Sequence, residues 1–140
     1  MAEKGEPAIH VRAEEAEEKR REWLDKASEL KEEGQHEEAI EYFDRIIRAG
    51  LDRNGYVHSG KASVLAELGR YGEAIECLEE ALRLDPDAGS YALELGQVLY
   101  TASEYDKARS AFERAAADTF IYGLSDEAKD WLARLDQEGH

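Results

Sequence analysis

One cysteine, two prolines and no long apolar run set the first limits on this 140-residue chain. The lone Cys77 cannot close an internal disulfide, which excludes a cross-linked secreted scaffold and makes the cytoplasm the expected compartment. With only Pro7 and Pro86 to interrupt it, most of the chain is open to helix formation, and Pro86 is placed to follow a helix end. No segment approaches the roughly 20 apolar residues that span a bilayer, and no apolar run of the secretory-leader kind follows Met1–Pro7. Positive charge is also scarce. Eighteen Lys and Arg stand against 33 Asp and Glu, a net charge of −15. Each quarter of the sequence is net acidic, so no basic stripe exists to attract nucleic acid or an anionic membrane, and neither is expected as a partner.

Groups that carry chemistry are equally thin. His10, His36, His58 and His140 are scattered, with no pair at ligand spacing, so no metal site is expected. The stretch Gly55 to Gly60 lacks the Lys and Ser/Thr of a phosphate loop, and Asp85-Pro86-Asp87 lacks most of a calcium loop's ligands. The acidic neighbours Glu76, Glu79 and Glu80 disfavour a reactive thiolate at Cys77. No pair of carboxylates stands out as acid and base, so no catalytic residue and no cofactor is assigned, and an enzyme is not expected.

What the chain does have is self-similarity. Gly34-Gln-His-Glu-Glu-Ala-Ile, Gly69-Arg-Tyr-Gly-Glu-Ala-Ile and Ser103-Glu-Tyr-Asp-Lys-Ala-Arg place Ala39, Ala74 and Ala108 at intervals of 35 and 34 residues. Phe43, Leu78 and Phe112 follow four residues after each alanine, and Ile46, Ala81 and Ala115 three residues later, which is one face of a helix. Upstream, Ala27, Ala62 and Gly96 each precede the phrase by the same seven residues. Small groups on both helices let them approach at the short end of the usual ~8–10 Å range, with the aromatic or Leu filling the gap alongside. A hairpin of this kind cannot bury its face alone and stacks on copies of itself.

These residues make the chain resemble the tetratricopeptide repeat family, whose unit is a helix-turn-helix of about 34 residues. The match is strongest over Tyr71–Pro86 and extends through Trp23, Ala27, Leu30, Ala39 and Phe43 in the first unit and Leu95, Gly96, Leu99, Tyr105, Ala108, Phe112 and Ala115 in the third. Lys26 and Lys61 stand where the family usually has Leu, His36 replaces a Tyr, and Leu51 and Phe120 stand where Pro would end a unit. The resemblance implies an all-α solenoid of three helical hairpins in a right-handed superhelix, with a capping helix at the C-terminal end. The expected divisions are a mobile tail over 1–12, repeats over 13–53, 54–87 and 88–121, and a cap over 122–137. Helices are expected from about Ala13 to Glu33, to about Ala49, over 55–68, 71–84, 88–101 and 104–117, and from Ser125 to Leu135. In the last, Ala128, Trp131, Leu132 and Leu135 form one apolar face and Ser125-Asp126-Glu127 suits a helix start.

In that family the first helices of successive hairpins line a concave groove. The corresponding positions here give a peptide-binding set of Leu24, Ser28, Tyr56, Ser59, Ser63, Leu93, Gln97 and Tyr100, short on charge and rich in hydroxyl and aromatic groups. Such a surface suits a neutral-to-basic protein or peptide segment with apolar side chains. Family members that hold acidic chaperone tails use a Lys/Asn/Arg clamp, and the matching positions, Leu24, Ser28, Gly60, Ser90 and Glu94, carry none of it. The expected function is a non-catalytic adapter that is monomeric; the alternative is a structural module for homo-oligomerisation through Trp23, Leu24 or an uncovered end.

Overall fold

The computed structural model describes the backbone of residues 2–140 and the side chains from residue 12 onward. Within these bounds the chain is all-helical: α1 (Ala2–Glu32), α2 (His36–Arg48), α3 (Tyr56–Glu67), α4 (Tyr71–Leu84), α5 (Gly89–Thr101), α6 (Tyr105–Ala116) and α7 (Leu124–Gln137). The expected mobile tail over 1–12 lies, Arg12 apart, outside the residues whose side chains are described; its backbone continues α1 back to Ala2, well before the expected start at Ala13. No helix among the described residues is long and apolar enough to cross a membrane. The chain divides into two compact units, Met1–Arg53 and Asn54–His140.

The first unit is a single hairpin. Ala27 and Leu30 of α1 meet Ala39, Ile40, Phe43 and Ile46 of α2, all buried. Gly34 makes the turn at φ 78°. Its amide donates to the Lys31 carbonyl and that of Gln35 to the Leu30 carbonyl, so the last carbonyls of α1 are satisfied by the chain that leaves it. Beyond α2 the Leu51 carbonyl accepts a bond from Arg20 Nε at 3.1 Å, and Arg53 pairs with Glu17 at 2.8 Å, which ties the exit segment back to α1.

The second unit contains two hairpins, α3–α4 and α5–α6, followed by α7. Its turns repeat the first unit's. Gly69 donates to Ala66 and Arg70 to Leu65; Ser103 donates to Tyr100 and Glu104 to Leu99. Ser103 does this at φ 63°, the positive-φ residue among the described residues that is not glycine. The α3–α4 hairpin closes on Val57, Ala62, Leu65, Ala74 and Leu78, and the α5–α6 hairpin on Ala92, Leu99, Ala108, Phe112 and Ala115.

The two hairpins meet around the start of α3. Tyr91 of α5, buried, donates its hydroxyl to the Asn54 carbonyl at 3.0 Å. Gly55 passes so close to α4 that a Cβ there would lie 2.7 Å from the Ala81 carbonyl oxygen, and its φ of 82° favours glycine as well. Helix α7 then covers the open side of α6 with Leu124, Ala128 and Leu135, all buried, while Trp131 stacks on Phe112 at 5.3 Å and an interplanar angle of 9°. The apolar stripe of the capping helix is therefore where the sequence places it. Its start differs, because Ser125 turns its hydroxyl back to the Ala116 carbonyl at 2.7 Å and the helix begins at Leu124 after Gly123.

Candidate interaction face

The residues expected to bind peptide are divided between the two units. Leu24 and Ser28 lie on α1, the first half-buried and the second exposed. The remaining residues belong to α3 and α5 in the second unit, and the structure treats them unequally.

Tyr56 opens α3 and is 55% exposed. Its amide is held by Asn54 Oδ1 at 3.2 Å, so its backbone is fixed while its ring faces water. Ser59, one turn on, is buried and donates to Glu94 Oε2 of α5 at 2.6 Å. The bond links the two helices side by side. Ser63 is half-buried another turn along α3.

On α5, Leu93 of the peptide-binding set is only 7% exposed and belongs to the core. Tyr100 is half-buried and already engaged. Its hydroxyl donates to the Glu138 carboxylate at 2.6 Å, and its ring meets Trp131 edge-on at 5.2 Å and Tyr105 at 5.6 Å. The cause is the capping helix, whose last turn ends beside the last turn of α5 and occupies the tyrosine. Gln97 stays half-buried between these two.

Two carboxylates, Glu94 and Glu138, are in contact with Ser59 and Tyr100. Glu94 is oriented by Ser59, and Glu138 is held below its ordinary range by the Tyr100 hydroxyl and then by the Arg134 guanidinium. The same bond raises Tyr100 above its ordinary value. Sequence reasoning assigned Glu94 only a negative role, as a mismatch to an anion clamp. The signal for its partnership is the 35-residue spacing from Ser59, one repeat length, which brings equivalent sides of neighbouring hairpins together. Among the described residues no cluster of three His, Cys, Asp or Glu is arranged to hold a metal ion. What the face offers is an exposed ring, hydroxyls and an oriented carboxylate, a set suited to recognition.

Comparison with known proteins bears on the fold. Curated protein sequences give no significant match. Solved structures give many. The TPR2B domain of yeast Sti1, in a complex with an Hsp70 peptide, superposes with a TM-score of 0.76 at 20% identity, covering 86% of this chain and 98% of that one. The Yersinia enterocolitica type III secretion chaperone SycD, in complex with a peptide of the translocator YopD, gives 0.74 at 18%, covering 86% and 94%. The second such domain of human RPAP3, in complex with an HSP70 peptide, gives 0.71 at 20%, covering 82% and 96%. At these identities the likeness establishes architecture alone. The family model described as Tetratricopeptide repeat matches residues 24–76 and 59–120, which together cover well over half of the chain. The chain belongs to the tetratricopeptide repeat family.

Proposed function

We propose that this chain is a non-catalytic protein-interaction adapter that holds a peptide or protein segment against α3 and α5. The observation that carries the proposal is the Ser59–Glu94 bond, which orients a carboxylate against α3 one helical turn from the exposed Tyr56. A segment with a Lys or Arg next to an apolar side chain suits both groups, the cation joining the contacts Glu94 already makes and the apolar group lying against Tyr56. Ser63 and Gln97 add hydrogen bonds along the segment's backbone. Solved relatives of the fold that hold peptides support this reading. An acidic tail is a poor fit, since it would meet Glu94 in a chain of net charge −15. The cytoplasm remains the fitting compartment for a chain with one cysteine.

A random peptide library displayed against the purified protein tests the reading. Selected peptides should carry a basic residue near an apolar one, and should lose about tenfold in affinity against Tyr56→Ala and against Glu94→Gln, a change of about 1.4 kcal/mol in each case. Selection of acidic peptides, or binding that neither substitution changes, would refute it.

A further inference from the structure

The loop between α6 and α7 has no part in that face, yet it carries the most exposed apolar side chains of the described residues. Phe120 and Tyr122 are 97% and 104% exposed, and Ile121 between them is 49% exposed. The loop is held in place by its own bonds. Asp118 Oδ1 accepts from the amides of Phe120 at 2.8 Å and Ile121 at 3.2 Å, the Leu124 amide donates to the Ile121 carbonyl at 3.2 Å, and Ser125 anchors the far side to Ala116. Three apolar residues thus stand in water on a preorganised backbone, so burying them costs little further ordering. Contiguous exposed apolar groups of this kind mark interaction sites.

The same unit also carries an apolar depression. On the side of α5 turned away from the candidate peptide face, α4, α5 and α6 enclose a depression of about 300 Å³. Its floor is apolar, with Leu82, Leu95 and Leu99, and Lys107 and Arg114 stand on its rim with Glu79 across from them. Arg114 lines this depression and Asp118, four residues on, anchors the loop, so the two features lie close along the chain. We infer that Phe120–Tyr122 is a hydrophobic knob through which two copies of this chain pair, each knob entering the depression of the other.

Three considerations favour a second copy as the occupant. Adjacent, complementary patches are what a two-fold axis requires, since each copy gives and receives the same contact. The cations Lys107 and Arg114, which within one copy meet Glu104 and the Pro86 carbonyl, complement in sign the acidic groups that flank the partner copy's knob in sequence, Asp118, Asp126 and Glu127. The area also suffices: two aromatics at ~150–250 Å² each, plus the isoleucine and the surface they cover, doubled across the axis, reach the ~1,200 Å² of a specific interface.

Sedimentation equilibrium of the whole chain from micromolar to millimolar protein, in about 0.3 M salt to screen the mutual repulsion of two acidic copies, tests the inference. The mass should rise from 15.8 kDa toward twice that value. Phe120→Ser/Tyr122→Ser should abolish the rise, and so should Ser110→Glu, which places a charge at the exposed edge of the depression, with helical circular dichroism unchanged in both. Mixing the two variants, which leaves one knob and one depression intact, should restore partial pairing. A monomer at every concentration, a dimer that survives the loss of both aromatics, or growth beyond two copies would overturn it.

Discussion

Gly96 of α5 lies against the ring of Phe112 of α6, so close that a Cβ at residue 96 would stand 2.5 Å from both Phe112 Cδ1 and Cε1. The same ring stacks on Trp131 of α7. Phe112 therefore has no room to retreat, and the absent side chain at residue 96 is what lets three helices share one aromatic. Gly96→Ala should destabilise the protein despite the ~1 kcal/mol that alanine returns in helix propensity, because overpacking a tight core costs ~1–3 kcal/mol. Gly72→Ala on α4, where a Cβ would meet nothing within 4 Å, should be neutral or stabilising. Urea unfolding of the two variants decides the matter; equal stability would mean the α5–α6 seam is loose.

The three hairpin turns share one backbone path, and two of them use glycine. Ser103 follows that path at φ 63°, where an L-residue is strained by roughly 1 kcal/mol. Ser103→Gly should therefore raise stability by a few tenths to about 1 kcal/mol, the gain being partly offset by the greater freedom of glycine in the unfolded chain. Gly69→Ala at the equivalent position should lower it by about 1 kcal/mol. Thermal melts of both variants should move in opposite directions.

These turns and seams were legible in the sequence because a short side chain or a glycine has few physical reasons to recur at a fixed interval. The same holds for the cap, whose Ala128, Trp131 and Leu135 keep helical spacing and meet α6 as that spacing requires. Periodicity says which side of a helix is apolar, but not which later segment comes to rest against its end. Correspondence to the family's groove positions puts Tyr100 in the peptide-binding set, but cannot show that Glu138, thirty-eight residues on, takes its hydroxyl. The start of α1 was misplaced for a related reason, since its charge-rich first half has no apolar stripe to announce a helix. Phe120 was visible only as a residue standing where the family has proline; its exposure follows from the bonds of Asp118, which spacing does not reveal.

The Ser59–Glu94 bond couples two helices and, in the proposed function, aims the carboxylate that meets the ligand. Ser59→Ala should cost about 1–2 kcal/mol of stability, as expected for a partly buried hydrogen bond to a charged group. In a double-mutant cycle with Glu94→Gln the two changes should be non-additive by about 1 kcal/mol. Denaturant unfolding of the four proteins measures the coupling; strict additivity would mean that the two side chains do not act together.

Tyr100 and Glu138 supply the pH dependence of the cap. The tyrosine hydroxyl, with Arg134 as the second contributor, holds Glu138 below its ordinary 4.5, so the folded state binds the proton more weakly than the unfolded chain does. A depressed carboxylate contributes stability that is complete above about pH 4.5 and drains away as the pH falls through the lower, folded value. At the alkaline end the same bond raises Tyr100 above its ordinary 10.0, and its contribution is lost as the pH climbs through that raised value. The contact thus stabilises α7 across the neutral range and weakens at both extremes. Melting temperatures of the parent chain and Glu138→Gln, recorded from pH 3 to pH 11, should differ by a constant amount near neutrality, with the parent more stable. The two curves should converge below about pH 4.5 and again above about pH 10. A constant difference across the whole range would show that the carboxylate acts on α7 without titrating through this bond.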